Sequence, residues 1–337
     1  MKELPVTRAI RPPVYKTGAL GLAAALILSA CSNQPAATDP AAAAGYPVTV
    51  ENCGDEITFD AAPQRLMLLK SASVPALHEL GVLDRAVARA GAFPQAYFDD
   101  ATLAELDDIA QLTSDVDATG HLQISREVVI AQEPDLVFGE VENLSRNSLA
   151  QVDINLLEEP AFCSTSPDTK PDFESIYDQL RLYGKVFDKP DEAETYITEL
   201  QDRVAAAQAD VAENENRTAA VLYPTVGGGT TYAYGTGSMA HPQLEAAGFT
   251  NVFENTSERV FEVSSEQLLG LDPDIIILLH TDGDPADVEN ALRDLPGASD
   301  LTAVKNDQVM TQLLNFTEPA TPLSVTGLEH IVEEFQP

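Results

Sequence analysis

Two stretches of the chain show the same alternation of short apolar runs with segments of helical periodicity. The first extends from Tyr46 to about Pro167, and the second begins at about Arg217. The apolar runs predict strands, which fall at 65–70, 87–90, 134–139, 219–223, 230–234, 274–280 and 308–313. The periodic segments predict helices, which fall at 73–83, 126–132, 241–248, 265–270 and 286–295. Strands that alternate with helices indicate an α/β fold with mainly parallel sheets.

The two stretches also share a motif at fixed spacing. A serine at a helix start accepts hydrogen bonds from first-turn amides, and a glutamate there complements the positive end of the helix. Helix capping is therefore sufficient to explain either glutamate by itself. The repeated spacing goes further, because it predicts two equivalent lobes that each carry an exposed glutamate. The motif is Ser-x-Glu followed by Pro-Asp seven residues after the glutamate, at Ser125, Glu127 and Pro134-Asp135, and again at Ser264, Glu266 and Pro273-Asp274.

A helical segment separates the two stretches. Pro190 precedes a run over 191–213 in which apolar residues recur at helical spacing. The run predicts one long helix that joins two Rossmann-like lobes and resists a large hinge opening. The predicted boundaries are 46–168 for the amino-terminal lobe, 169–215 for the helical connector and 216–337 for the carboxyl-terminal lobe.

The chain begins with the pattern of an export signal. Four basic residues and one acidic residue within 1–16 precede a short apolar run over 17–30. The run ends in Leu-Ser-Ala before Cys31, which resembles a bacterial lipobox. Ordinary signal cleavage beside an incidental cysteine is the alternative. We expect a lipoprotein signal peptide over 1–30, lipidation of Cys31 and a flexible tether over 31–45.

Composition limits the possible partners. Lysine and arginine number 19 against 54 aspartates and glutamates, which gives a formal net charge of −35. So acidic a surface argues against nucleic acid and anionic membranes as partners, because both require a basic face. After residue 31 no apolar run approaches the roughly 20 residues of a membrane span, so we expect membrane contact through the lipid anchor only.

Two cysteines remain once Cys31 is assigned to the lipobox. Cys53 and Cys163 form an even pair in an exported protein, which predicts a disulfide. Two buried free thiols are the alternative. Neither cysteine lies in a CxxC pair or beside a histidine, so neither is predicted to be catalytic or to bind metal.

Several further segments follow one another in a recognisable order over nearly all of 46–336. They are 50–54 (Val-Glu-Asn-Cys-Gly), 62–65 (Ala-Pro-Gln-Arg), 80–85 (Leu-Gly-Val-Leu-Asp-Arg), the two Glu…Pro-Asp motifs, and Gly237 with 244–252 (Leu-Glu-Ala-Ala-Gly-Phe-Thr-Asn-Val). In this order the chain resembles the substrate-binding proteins of ABC importers of the iron-siderophore and vitamin B12 type, whose two lobes are joined by a helix.

The resemblance implies a lipid-anchored monomer on the extracytoplasmic side of the cell membrane. Such a protein is not an enzyme and carries no metal or cofactor of its own; iron enters only with the ligand. It captures a ferric siderophore and delivers it to permease subunits that work with a separate ATPase. In this family two lobe-tip glutamates pair with permease arginines, a role that carries over to Glu127 and Glu266.

The ligand is expected where loops converge at the carboxyl ends of the strands. Arginine, lysine and tyrosine there would donate to iron-bound oxygens. Acidic residues at 140 and 142 disfavour a strongly anionic catecholate complex, so a neutral or cationic hydroxamate fits better. The chain has no tryptophan, which departs from many relatives. The cleft candidates are Lys70, Tyr97, Glu140, Arg146, Tyr234, Arg259, His280 and Asn315.

Other ligands and functions stay open at this point. Haem is the main alternative, with Tyr234 or His241 as axial ligand, and cobalamin is another. The five histidines show no paired spacing, which argues against a zinc or manganese importer. A secreted hydrolase is a third hypothesis, but the sequence has no GxSxG elbow. The acidic pairs at 107–108 and 158–159 are expected to be solvated surface and not catalytic carboxylates.

Overall fold

The computed structural model describes residues 45–115, 122–141, 144–163, 170–211, 216–281 and 283–336. The predicted signal peptide, Cys31 and the tether up to residue 44 lie outside this part, as do His121 and the acidic residue at 142. Of the helices within the described ranges, none combines the length and apolarity that a membrane crossing needs.

The amino-terminal lobe contains a sheet of four parallel strands in the order β4–β3–β5–β6, preceded by an antiparallel hairpin of β1 and β2. Every residue of the two central strands is buried, as expected of a parallel sheet covered on both faces. The strands are β1 (Val48–Asn52), β2 (Asp55–Phe59), β3 (Leu66–Leu68), β4 (Ala86–Arg89), β5 (Leu136–Phe138) and β6 (Asn155–Leu157). The helices are α1 (Val74–Glu79), α2 (Asp100–Asp108), α3 (Arg126–Ile130) and α4 (Arg146–Ala150).

Two helices occupy the segment predicted as the connector. They are α5 (Phe173–Phe187) and α6 (Pro190–Ala209). Asp188 adopts the left-handed conformation that ends α5. Pro190 begins α6, and this helix start is the one that the sequence predicts. Arg181 on α5 donates to Glu194 on α6 at 2.9 Å, which ties the two helices together. The long helix of the prediction is α6, and the preceding α5 was not predicted.

The carboxyl-terminal lobe contains a mixed sheet in the order β10–β8–β7–β11–β12, with β9 beside the start of β7. The strands β7, β11 and β12 are parallel, and β8 and β10 close one side in antiparallel pairing. The strands are β7 (Thr218–Pro224), β8 (Thr231–Tyr234), β9 (Thr250–Asn251), β10 (Val260–Val263), β11 (Ile275–His280) and β12 (Val309–Leu313). The helices are α7 (Ala240–Ala246), α8 (Ser265–Leu271), α9 (Pro285–Arg293), α10 (Thr302–Lys305) and α11 (Pro322–Phe335).

One hydrophobic core runs through both lobes and the helices between them. It contains Leu66 and Leu68 of β3, Leu200 of α6, and Val221 of β7. The alternate residues of the same strands, such as Met67, point into a separate outer core of their own lobe. Because the shared core spans the connector, the lobes are held in a nearly fixed relation. The predicted lobe boundaries stay predictions.

Candidate ligand-binding cleft

The loops that follow the carboxyl ends of the strands bring the two lobes into contact. Asn315, which follows β12, donates its backbone N–H to the Tyr97 hydroxyl at 2.9 Å. Its side-chain amide donates to Ser71 Oγ at 3.4 Å. The ring of Tyr97 packs edge-on against Phe316 with centroids 5.1 Å apart. We call Ser71, Tyr97, Asn315 and Phe316 the cleft floor. It brings together two predicted ligand contacts, Tyr97 and Asn315, from opposite lobes.

The Tyr97 hydroxyl on the cleft floor remains neutral. Its side chain is buried, and burial raises the pKa of the phenol well above its usual value. A neutral phenol still donates and accepts hydrogen bonds, so Tyr97 offers the cleft a polar group without charge.

One cation from each lobe reaches the cleft above this floor. Lys70, just after β3, donates to Glu158 Oε2 at 2.6 Å. Arg259, just before β10, donates through Nη1 to Glu318 Oε2 at 3.1 Å. The side chains of the two cations are 29% and 36% exposed, whereas both glutamates are only 1% exposed. Each cation is therefore held by a buried carboxylate and keeps N–H donors that this carboxylate does not use.

Backbone amides hold both buried carboxylates in place. Glu158 accepts from the backbone N–H of Glu140 at 2.7 Å and from that of Glu159 at 2.7 Å. Glu318 accepts from the backbone N–H of Met239 at 2.6 Å. Since each carboxylate also faces its own cation, both pairs are electrically neutral and both carboxylates are hydrogen-bonded. The two pairs place N–H donors in the cleft without adding net charge.

The prediction that the acidic pair 158–159 is solvated surface is wrong. Glu158 and Glu159 are 1% and 5% exposed. The reason lies in partners that are distant along the chain: Asn52 accepts from the Glu158 backbone N–H through Oδ1 at 2.9 Å, and Lys70 neutralises the Glu158 carboxylate. A polar stretch can be buried when such partners satisfy it, and nothing local in the sequence reveals them.

Phe162 connects the two cations and was not predicted from the sequence. Its ring centroid lies 4.3 Å from Lys70 Nζ and 5.5 Å from the guanidinium carbon of Arg259. Both distances are within the range of cation–π contacts. The residue ends a short turn over Pro160–Phe162 and directly precedes Cys163, which is joined to Cys53 by a disulfide. Its place beside a cysteine is the one sequence signal that distinguishes this phenylalanine.

Two tyrosines lie on the carboxyl-terminal side of the cleft. The Tyr223 hydroxyl and Thr281 Oγ1 share a hydrogen bond of 3.3 Å at the ends of β7 and β11. Tyr234 is 4% exposed, and burial together with the charge of Glu318 raises the pKa of its phenol. It is therefore a buried neutral group that is close enough to Glu318 and Arg259 to respond to their charges.

Of the three other predicted cleft residues, Arg146 has its side chain engaged in the body of the protein. Arg146 donates to the Asn52 carbonyl at 2.8 Å and to Asp55 at 2.7 Å, and so holds the turn of the β1–β2 hairpin. Glu140 contributes its backbone N–H to Glu158, and His280 is 8% exposed at the end of β11. Their roles as ligand contacts stay predictions.

The Ser-x-Glu motifs form matching helix starts in the two lobes. Ser125 Oγ accepts from the backbone N–H of the third helical residue of α3 at 3.4 Å, and Ser264 Oγ does the same for α8 at 3.1 Å. Glu127 and Glu266 are both exposed in the first turn. The strand β10, which leads into α8, ends in register with the carboxyl end of β7, so Glu266 follows that end of the sheet.

The Pro-Asp parts of the two motifs also match. Asp135 accepts from the backbone N–H groups of Gln64 and Arg65 at 2.7 and 3.0 Å, just before β3. Asp274 accepts from the backbone N–H and the hydroxyl of Thr218 at 2.8 and 3.0 Å, at the start of β7. In each lobe the aspartate fixes the beginning of the neighbouring parallel strand, which explains structurally why the spacing is repeated in the two lobes.

A separate hollow of about 350 Å³ lies between the β7–β8 turn and α9. Its lining includes Asp287 and Asp294 but no basic or aromatic side chain. The lining therefore offers no charged donor to iron-bound oxygens.

A family model described as periplasmic binding protein matches residues 67–312. The chain belongs to this family. A crystal structure from Saccharomonospora viridis, described as an ABC-type Fe3+-hydroxamate transport system, is 52% identical, covers 86% of this chain and 99% of its own, and superposes with a TM-score of 0.81. The resemblance seen in the sequence is thereby confirmed, as is the fold of two α/β lobes joined by a long helix.

Two curated relatives are more distant from this periplasmic binding protein. The cobalamin-binding protein of Halobacterium salinarum is 24% identical over 255 residues, which are 74% of this chain and 63% of the relative. The Fe(3+)-citrate-binding protein YfmC of Bacillus subtilis is 23% identical over 254 residues, which are 75% of this chain and 74% of the relative.

Proposed function

We propose that this protein is the substrate-binding component of an ABC importer and captures a ferric hydroxamate siderophore. The observation that carries the ligand class is the pair of cleft cations, Lys70 and Arg259, each neutralised by its own buried glutamate. The 52% identical Saccharomonospora viridis structure, whose description names Fe3+-hydroxamate transport, supports the same class. The chain needs no bond chemistry of its own, since iron enters only with the ligand and ATP is hydrolysed by a separate subunit.

The charge of the cleft favours an uncharged iron complex. Hydroxamate groups balance the charge of ferric iron, whereas a ferric catecholate complex is multiply anionic. Two neutral cation–carboxylate pairs supply donors for iron-bound oxygens but no net positive charge to compensate an anion. The overall charge of −35 adds a repulsive field for anions. A neutral or cationic ferric hydroxamate therefore suits this cleft better than a catecholate.

Haem suits the cleft less well than a hydroxamate does. An axial ligand must reach the iron, but the Tyr234 side chain is only 4% exposed. His241 lies on α7 with Nε2 3.6 Å from Glu245, and its side chain is 16% exposed. Haem and cobalamin are the alternative ligands, and the thermal-shift panel in the Discussion distinguishes them from a ferric hydroxamate.

Delivery to the permease is assigned to Glu127 and Glu266. The support is their matching position in the first exposed turn of α3 and α8. Paired carboxylates on two lobes held by one core would orient the loaded protein on basic permease residues. The family indicates a location outside the cytoplasm, and lipidation of Cys31 is the anchor that we propose for a monomeric protein.

Charge reversal at both glutamates tests this assignment. We expect the double variant Glu127→Arg plus Glu266→Arg to bind ferrioxamine B as the wild type does, measured by calorimetry, while cellular uptake of radioactive iron from that complex falls at least about tenfold. Glu56→Arg plus Glu254→Arg is the matched control, because both residues are exposed and the charge change is the same. Uptake equal in the two double variants would contradict the docking role.

A further inference from the structure

Phe162 lies between the lobes without belonging to a hydrophobic core. It is partly buried and absent from the hydrophobic clusters of the described residues. Its contacts are instead the two cleft cations, one from each lobe, at 4.3 and 5.5 Å. A ring placed this way serves the cleft and not the packing of either lobe.

The cations cannot easily move away from this ring. Lys70 and Arg259 are each tied to a glutamate that is 1% exposed and fixed by backbone amides. The positions of the ring and of the two sets of N–H donors are therefore set independently of any ligand. An arrangement that is preorganised in this way costs little to order when a ligand binds.

The ring is held in place by a covalent connection to the hairpin. Cys163, the next residue, is bonded to Cys53 in the β1–β2 turn, with Cα atoms 5.1 Å apart. That turn is itself fastened, because the Asn52 side chain donates to the Glu158 carbonyl at 2.8 Å and accepts from the backbone N–H of Glu158 at 2.9 Å. The disulfide thus links Phe162 to a rigid part of the amino-terminal lobe.

We propose that Phe162 is the apolar platform on which the hydrocarbon linkers of the siderophore rest, and that the Cys53–Cys163 disulfide positions it. This inference rests on the proposed function. The hydroxamate oxygens face Lys70 and Arg259, while the linkers between them pack on the ring. Phe162 is therefore a specificity-determining residue, and the disulfide acts on affinity only through it.

A double-mutant cycle separates this role from simple stabilisation. The proteins are wild type, Phe162→Ala, Cys53→Ser plus Cys163→Ser, and the triple variant, each titrated calorimetrically with ferrioxamine B and ferrichrome. We expect Phe162→Ala to weaken binding about tenfold and the cysteine pair to weaken it severalfold. The triple variant should bind as Phe162→Ala does, because the disulfide has no further ring to position.

Phe261→Ala is the control for loss of an aromatic side chain. Phe261 on β10 packs on Phe253 with centroids 5.2 Å apart, so its removal should lower the melting temperature and leave the affinity unchanged. If the cysteine variant does not fold, the comparison of Phe162→Ala with Phe261→Ala still decides the role of the ring. Equal affinity of Phe162→Ala and wild type, or a triple variant weakened by the product of both effects, would overturn the proposal. Absence of binding by the wild type would instead overturn the proposed function.

Discussion

Glu159 is a buried carboxyl group between the lobes, and among the described residues no cation forms an ion pair with it. Its Oε1 accepts from the Tyr183 hydroxyl at 2.8 Å, and its Oε2 has no hydrogen-bond partner among the described residues. Burial raises the pKa of this carboxyl to about 7, and the neighbouring charge of Glu158 acts in the same direction. The hydrogen bond from Tyr183 and the charge of Lys70 act against the rise. Glu159 is therefore protonated in the folded protein at mildly acidic pH.

The raised pKa predicts that stability falls as pH rises. The folded state binds this proton more tightly than the unfolded state, so its contribution is complete below the ordinary glutamate pKa and is lost as pH passes 7. We expect the free energy of unfolding of the wild type to fall by up to about 3 kcal/mol from this group between pH 5 and pH 8. Glu159→Gln, which mimics the protonated acid, should remove that part of the slope.

Urea unfolding at several pH values measures this effect. Burial also raises the pKa of Glu79, but that residue is present in both proteins and cancels in the comparison. Parallel curves for wild type and Glu159→Gln would show that Glu159 keeps an ordinary pKa.

The residues of the cleft were only partly predictable. Lys70 and Asn315 were predicted because each follows a strand, and Tyr97 and Arg259 because they lie in loops that could face the cleft. The structure brings all four to the place where the lobes meet. Phe162 was not, because its role depends on cations that are far away in the sequence. Long-range side-chain contacts of this kind leave no periodic signal.

At the level of elements, the crossing of α5 and α6 depends on one glycine. A Cβ atom added to Gly184 would lie 2.7 Å from the Cβ of Ala193 and 3.1 Å from the carbonyl oxygen of Lys189. Any side chain there would force the helices apart in a close-packed region. Gly270 in α8 provides the opposite case, since a Cβ added there meets nothing within 4 Å.

We therefore expect opposite effects of the same substitution at these two glycines. Gly184→Ala should lower the free energy of unfolding by about 1–3 kcal/mol, because overpacking outweighs the better helix propensity of alanine. Gly270→Ala should raise it by about 0.5 kcal/mol, because only propensity changes. Chemical denaturation of both variants checks the pair; a stabilised Gly184→Ala would mean that the helices do not approach as closely as described.

Most elements were predictable from the sequence, and the omissions have physical reasons. Alternation and flanking prolines were sufficient for β3, β5, β11 and α6. A helical pattern was noted around His330, but no bounds were predicted for α11, because burial on several sides weakens its amphipathic pattern. The hairpin of β1 and β2 turns at Cys53-Gly54, a dipeptide that is not a common hairpin signal.

At the scale of the whole molecule, two lobes were predictable and their relation was not. The repeated Ser-x-Glu…Pro-Asp motif indicated two equivalent lobes, and its aspartates do hold equivalent strands. The shared core and the cleft floor depend on how the lobes meet, which the motif does not encode. The shared core implies that ligand binding closes the lobes only slightly, because wide opening would expose buried apolar surface.

A panel of ligands tests the proposed binding of a ferric hydroxamate most directly. The measurement is the shift in melting temperature of a protein comprising residues 46–337. Ferrioxamine B, ferrichrome, ferric enterobactin, ferric citrate, haemin and cobalamin are compared with the metal-free siderophores. A true ligand at 100 times its dissociation constant stabilises the protein by about 2.7 kcal/mol. We predict this shift with ferrioxamine B or ferrichrome and none with ferric enterobactin. A shift with haemin, cobalamin or the catecholate complex alone would contradict the assignment of a ferric hydroxamate.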